Sequence, residues 1–332
     1  MPANGVRSID DAVAERALAE YTFSAGTRCR MINLSENATY LIEDPATNGG
    51  GILRVHREGY HSVAAVESEL TWLEALRADG AVDAPAVIPA RDGRRVVTVQ
   101  LEGRTRHVVL FETMGGLEPD ENGLTPADFE TLGAVTARLH KHSKRWSPPA
   151  GFTRFTWDWE HCLGSDPRWG RWEDAGGVGP AEIDLLRPAV ALLRERLEGY
   201  GQESDRFGLI HADLRLANLL VEPSRVNVID FDDCGFGWFL YDFGTAVSFM
   251  EHDPALGQWQ AAWLAGYRSE AELAAEDEAM LPTFVLLRRM LLLAWMGSHA
   301  HSRESRTKSA SFAVGTCDLA ERYLRSGGLS LL

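Results

Sequence analysis

The sequence has little cysteine, no basic excess and no apolar run of membrane-spanning length. Its four cysteines, Cys29, Cys162, Cys234 and Cys317, lie far apart and form no C-x-x-C pair. That spacing argues against a disulfide framework and against structural zinc, and makes a reducing cytosol the expected setting. Met1 to Asp11 carries no apolar signal core. The longest apolar candidate, Met280–Met296, is interrupted by Pro282, Arg288 and Arg289 and reads as a buried helix, so no membrane is expected as a partner. Thirty-three Lys and Arg face 48 Asp and Glu, a formal net charge of −15. A nucleic-acid partner needs basic surface for phosphates and is not expected, whereas a cationic small partner is compatible with this charge. No repeat or low-complexity tract appears. What remains is a chain of 332 residues, 45% hydrophobic and 24% charged, enough for one large domain or two lobes of an ordinary globular enzyme.

The most informative stretch runs from Leu209 to Leu220. An apolar approach leads into His211-Ala212-Asp213, and Asn218 follows Asp213 by five positions. A second apolar run, Val226–Ile229, ends in Asp230-Phe231-Asp232-Asp233. An Asp or Asn alone in such a place is more often a turn residue bonding its own backbone. The combination fits H-x-D-x-x-x-x-N followed by a strand that closes on Asp. In phosphoryl transfer that layout sets a carboxylate beside the attacking hydroxyl and supplies hard oxygen ligands for magnesium.

The remainder of the chain is consistent with this chemistry. Ser8 caps an opening helix, and Arg28–Leu34, Thr39–Glu43 and Gly51–His56 read as strands. The turn containing Ser35 and Asn37 is either a backbone nest for phosphates or an ordinary hairpin turn, and it has no G-x-G-x-x-G. The third strand carries Arg54 where a kinase has Lys; as a planar fork it would bind phosphate, or it is an exposed strand residue. On the next helix, capped by Ser62, Glu69 is the expected partner of Arg54, with Glu67 as competitor. Val96–Leu101 and His107–Glu112 are further strands. The segment from Phe111 to Gly116 reads as a hinge whose backbone near Glu112 and Met114 would meet an adenine edge.

A helix begins at Thr125-Pro126, and His140 and His142 on it read as packing or surface residues. Pro148–Gly179 is a Trp-rich loop, either over a substrate or simply packed. Glu182–Tyr200 is amphipathic. A Gly-rich turn follows Asp233, and helices are expected at about 240–251, 254–274, 277–301 and 304–325. The order is strand-rich lobe, hinge and helix-rich lobe, an α+β pattern with boundaries at 1–113 and 114–332. Nucleotide in such a chain is expected in the cleft between lobes.

Together, His211–Asn218, Ile229–Asp233 and Tyr241-Asp242-Phe243 resemble the aminoglycoside phosphotransferase / choline kinase-like family, over nearly the whole chain. The Asp-Phe-Asp-Asp run and the Leu286–Trp295 helix are most similar to its stress-response Ser/Thr kinase-like and homoserine kinase-like subgroup. The resemblance implies a bilobal protein-kinase-like fold with a small β-rich N-lobe and a large, mostly helical C-lobe. It implies ATP and Mg2+ as cofactors, and transfer of the γ-phosphate to a hydroxyl of a small, amine-bearing acceptor, an aminoglycoside or aminocyclitol or a homoserine-like amino alcohol. Asp213 would orient or deprotonate that hydroxyl, with His211 bracing the loop and Asp242 fixing it from the helical side. Asn218 and Asp230 would bind magnesium, and Arg54 with Glu69 the phosphates. Arg215 would stabilise charge, or act as a cap or surface residue. Asp232 would contact metal or substrate, or lie solvated in a turn; with Asp233 and Glu251 it is also a candidate to receive an ammonium. Two other functions are open at this point, a protein Ser/Thr kinase and a silent nucleotide-binding protein. The absence of an A-P-E activation segment after Asp230 favours small acceptors. The acceptor's identity and the oligomeric state are not written in the sequence.

Overall fold

Ser8 Oγ accepts the Asp11 N–H at 3.1 Å while the Asp11 carboxylate accepts the Ser8 N–H at 3.1 Å, a reciprocal cap that starts the first helix. The computed structural model describes residues 8–34, 36–47, 49–119, 123–222, 225–299 and 303–331, with 303–309 as backbone alone. Helix α1 (Ile9–Leu18) is followed by strands β1 (Arg28–Leu34), β2 (Ala38–Asp44) and β3 (Gly49–Val55), helix α2 (Val63–Ala78), and strands β4 (Val87–Ile88), β5 (Val97–Leu101) and β6 (Arg104–Phe111). Next come α3 (Pro126–Arg145), β7 (Phe155–Trp157), α4 (Trp159–Cys162), α5 (Pro180–Tyr200), β8 (Phe207–Ile210), and the hairpin β9 (Leu219–Glu222) and β10 (Arg225–Val228). Strand β11 (Gly235–Trp238) and helices α6 (Tyr241–Ala246), α7 (Leu256–Glu270), α8 (Ala275–Glu278), α9 (Leu281–Ser298) and α10 (Arg303–Arg325) complete the chain.

Two compact units emerge, and neither is one continuous stretch. The first comprises Met1–Leu117, Pro148–Thr153 and Leu220–Asp232. Its sheet runs β1-β2-β3-β6-β4, with β5 also paired to β6, and all these pairings are antiparallel. Alternate residues of the strands turn inward, so Tyr40, Ile42, Leu53, Val55, Val108 and Leu110 pack with Val13, Ala14 and Ala17 of α1. The second unit comprises Glu118–Ser147, Arg154–Leu219 and Asp233–Leu332. Helix α9 is apolar enough in length and composition to cross a membrane, yet 89% of its apolar window is buried inside the protein. It is a core helix, apolar all round because it is covered all round.

Several elements differ from the sequence expectation. The glycine-rich run after Asp233 is not a turn but strand β11, central in the sheet β7-β11-β8. A Cβ on Gly235 would stand 2.6 Å from the Phe155 carbonyl oxygen and one on Gly237 2.5 Å from Ile210 Cδ1, so glycine here serves close strand approach rather than turning. Helix α6 stops at Ala246, short of the expected 251, and Phe249 takes a left-handed φ of 69° in the turn that follows. The helix expected over 277–301 is split into α8 and α9. Strands β4 and β7, of two and three residues, lie below the length at which alternation can be read.

Candidate active site

In the first unit, β3 and α2 bring Arg54 and Glu69 together: Arg54 Nη2 lies 2.6 Å from Glu69 Oε1, and both side chains are buried. Glu67, the competing partner, instead pairs with Arg95. The hairpin β9–β10 delivers Asp230 and Asp232 to the same guanidinium, with Arg54 Nη1 3.4 Å from Asp230 Oδ1 and Nη2 4.0 Å from Asp232 Oδ1. Asp232 is not a solvated turn residue. It is 5% exposed, accepts a hydrogen bond from Asn37 Nδ2 at 2.8 Å, and has His56 Nδ1 at 3.1 Å and His61 Nε2 at 3.4 Å. Asn37 therefore points inward, its Oδ1 accepting the Arg57 N–H at 3.0 Å, which leaves its backbone as the part able to face phosphate. Ser35 lies outside the described residues.

Electrostatics follow from this crowding. Burial works to raise the Asp232 carboxyl, but Arg54, His56 and His61 hold it well below the usual carboxylate range. Burial and then Arg54 push His56 below its ordinary value, against the pull of Asp232, and so favour the neutral ring. Burial also opposes the Arg54 charge, and Glu69, Asp232 and Asp230 more than offset it. One cation among three carboxylates leaves two formal negative charges in the cluster.

The hinge segment follows β6, where Arg54 lies 5.0 Å from the centre of the Phe111 ring. The Glu112 N–H is bonded to the Ala86 carbonyl at 2.8 Å, so this amide is already engaged within the unit. Gly116 has φ +103°, and a Cβ there would lie 2.8 Å from the Leu220 carbonyl carbon; the hinge passes against β9 only because no side chain intervenes.

In the second unit, the Asp213 loop is held from beneath by Asp242 at the start of α6. Asp242 accepts the Ala212 N–H at 2.8 Å and the His211 N–H at 3.2 Å. Burial keeps His140 neutral although Asp242 opposes this, so His140 Nε2–H donates to Asp242 at 3.1 Å and Nδ1 accepts from the Tyr267 hydroxyl at 3.0 Å. His211 is fully buried and its Nδ1 accepts the Asp213 N–H at 3.3 Å, bracing the loop from within. Ala212 between them has φ 64°, and Asp230 in the first unit has φ 61°. Left-handed backbone at a non-glycine costs of order 1–3 kcal/mol and persists where surrounding bonds fix it.

Every Asp213 oxygen has a partner. Oδ1 accepts from Arg288 Nη2 at 2.6 Å, while Oδ2 accepts from Asn218 Nδ2 at 3.0 Å and Arg215 Nε at 3.3 Å. Burial alone would raise this carboxyl; Arg215 and Arg288 reverse the effect and hold it below its ordinary value. Asp213 is thus an ionised acceptor aimed by three donors. Arg288 was hidden from sequence reading, because it sits in an apolar helix 75 residues from its partner. His56 and His61 were hidden in the same way. Two acids expected to meet an ammonium are not available for it: Asp232 is enclosed as above, and Glu251 is buried against Arg289 at 2.8 Å. The Trp-rich stretch is packed, with Trp157 and Trp169 5.2 Å apart and the Arg288 guanidinium 5.3 Å from the Trp169 ring.

The residues suit a nucleotide and a hard cation. Arg54 Nε is buried without a hydrogen-bond partner, an N–H that a phosphate oxygen satisfies. Asn218 gives its Nδ2 to Asp213, which leaves its Oδ1 as an oxygen that could take a cation, and the Asp230 side chain is 52% exposed. Amide and carboxylate oxygens are the donors magnesium or calcium takes.

A strand-rich unit holding a buried Arg–Glu pair, joined to a helical unit holding an H-x-D-x-x-x-x-N loop, is a kinase-like phosphotransferase. Residues 32–276 match the phosphotransferase enzyme family, and the chain belongs to that family. It is 64% identical to a microcompartment-associated aminopropanol kinase of known structure, covering 97% of this chain and 99% of that one with a TM-score of 0.91. The amicoumacin kinase of Bacillus subtilis (strain 168) is 27% identical over 295 residues, 85% of this chain and 83% of the relative. A solved amicoumacin kinase in complex with AMP-PNP, Ca2+ and Ami shares the fold at 22% identity and a TM-score of 0.78, covering 94% of both chains. The chain is a phosphotransferase of kinase-like fold.

Proposed function

We propose that this kinase phosphorylates the hydroxyl of a short amino alcohol of the aminopropanol class. The observation that carries the reading is the aimed, ionised Asp213 carboxylate, with Oδ1 anchored and Oδ2 held by the more exposed Arg215 and by Asn218. The 64% identity to an aminopropanol kinase along almost the whole chain supplies the acceptor class.

In this reading Asp213 Oδ2 accepts the hydrogen bond of the acceptor hydroxyl and turns its oxygen toward the γ-phosphorus. The bond from that oxygen to phosphorus forms as the bond from phosphorus to the β,γ-bridging oxygen breaks, and ADP leaves. A carboxyl held below its ordinary value is a weak base, so the hydroxyl proton reaches Asp213 late, as suits a loose transition state. Arg54, fixed by Glu69, holds phosphate oxygens, and Arg215 moves from Asp213 to the transferring group. The backbone of Asn37 would face phosphate, and Glu112 and Met114 would meet the adenine. Asn218 Oδ1 and Asp230 would hold the divalent ion, which supplies charge neutralisation for the phosphates.

The test is ADP release from the purified protein with ATP and magnesium across aminopropanol, ethanolamine, choline, homoserine, threonine, spectinomycin and casein. The expected result is the highest kcat/KM for aminopropanol and a marked loss for bulky or protein acceptors. A preference for casein or spectinomycin over every short amino alcohol would overturn the reading.

A further inference from the structure

We propose that Arg288 is a positioning residue for phosphate transfer: it grips Asp213 Oδ1 and the backbone beside it, and so sets Oδ2 as the oxygen that meets the acceptor. This rests on the role given above to Asp213. Arg288 lies on α9 beside Arg289, and the two adjacent buried arginines differ in what they reach. Arg289 closes on Glu251 at 2.8 Å, Thr316 at 2.9 Å and the Phe312 carbonyl at 3.0 Å, all in the helical interior. Its carboxylate partner is 1% exposed, while that of Arg288 is 17% exposed. Arg289 therefore serves the core, whereas Arg288 runs through the core to a carboxylate that meets solvent.

The guanidinium is fixed along its length. Nε donates to Ser248 Oγ at 3.1 Å, Nη1 faces the Tyr241 hydroxyl at 3.3 Å and the Ala212 carbonyl at 3.4 Å, and Nη2 donates to Asp213 Oδ1. It thus holds both the side chain of Asp213 and the carbonyl of the left-handed residue before it. A planar fork with bonds on all three nitrogens transmits orientation, which a lysine ammonium on a flexible stem does not. The opposite oxygen is held by Asn218 and by Arg215, whose side chain is 34% exposed and free of the core. One oxygen is anchored and the other is exchangeable.

The experiment compares wild type, Arg288→Lys, Asp213→Asn, the double variant and Arg289→Lys, with ATP binding measured by calorimetry alongside kcat and KM. Arg288→Lys should lower kcat about 100-fold with ATP affinity within about threefold, the signature of lost orientation rather than lost binding. Arg289→Lys should lose thermal stability with kcat nearly intact. The double variant should be no more than about twofold slower than Asp213→Asn, because orienting a side chain that no longer carries the accepting carboxylate oxygen gains little. Arg288→Lys with wild-type kcat overturns the proposal, as do losses that multiply in the double variant. If Arg288→Lys does not fold, Tyr241→Phe removes one bond from the guanidinium; a reduced kcat at unchanged ATP affinity supports the proposal, and an unchanged kcat overturns it. A wild type that ignores every short amino alcohol overturns the acceptor class alone, since the same proteins then report the role of Arg288 through transfer from ATP to water.

Discussion

Arg54 Nη2 stands 2.6 Å from Glu69 Oε1 in a setting from which water is almost wholly excluded. A permanently charged fork in place of lysine lets one side chain meet Glu69, Asp230 and Asp232 at once. Arg54→Met leaves buried carboxylates without their cation and should lower stability by about 3–5 kcal/mol in urea unfolding. Arg54→Lys should fold, yet bind ATP at least about tenfold more weakly, because a point charge cannot serve all three partners. Equal ATP affinity in Arg54→Lys would remove the fork from the argument.

The excess of carboxylates over cations in that cluster repels triphosphate. ATP binding should therefore require a divalent ion, with Mg2+ or Mn2+ restoring turnover after chelation. Zn2+, which favours nitrogen and sulfur ligands, should do so poorly. Asp230→Asn should weaken the metal dependence of ATP binding while leaving the melting temperature within a few degrees. Metal-independent ATP binding in the wild type would contradict the assignment of Asp230.

Stability should fall as pH drops from about 7 to 5. Burial holds His56 and His140 below their ordinary values, so in this window the unfolded chain takes up protons that the folded chain refuses. Each such proton contributes about 1.4 kcal/mol per pH unit, and two fully expressed histidines about twice that. Asp232 acts in a lower window: its depressed carboxyl favours the fold above the ordinary value of 3.8 and loses that contribution as pH falls through its folded-state value. Chemical denaturation from pH 4 to pH 8 checks the histidines, and its extension below pH 3.8 checks Asp232. A flat profile between 5 and 7 would mean that the histidines titrate freely.

Ala212 sits at φ 64° between His211 and Asp213. Ala212→Gly should be neutral or stabilising by about 1 kcal/mol, since glycine takes this conformation freely. Ala212→Val should destabilise and reduce kcat together. Asp242→Ala, which strips partners from His211, Ala212 and His140, should cost about 3–5 kcal/mol and most of the activity. Thermal melts with parallel kinetics separate the two sites.

The parts legible in the sequence were those whose chemistry is local. The spacing from His211 to Asn218, the caps at Ser8 and Ser62, and the Arg54–Glu69 pairing all depend on short stretches or adjacent elements. The clamp on Asp213 and the cradle of Asp232 were not legible, because Arg288, His56 and His61 belong to other elements and nothing in their neighbours announces the partner. Hydropathy explained α9 as a core helix without revealing that one of its charged residues ends at the Asp213 loop. Gly235 and Gly237 misled for a related reason: glycine marks both turns and strands packed tightly together, and only the neighbouring chain distinguishes them.

The first unit is assembled from three separated stretches of chain, and the two counter-ions to Arg54 beyond Glu69, the buried Asp232 and the exposed Asp230, come from the last of these. A ribosome that has made only the first 117 residues has made the sheet and its arginine but not Asp232, nor the hairpin that carries it. His56, His61 and Asn37 must then wait for about a hundred more residues before their common partner exists. Fragments cut at the hinge should accordingly be unfolded or aggregation-prone alone and recover structure when the missing piece is supplied. The first unit is thus a late product of synthesis, although most of its residues are made first.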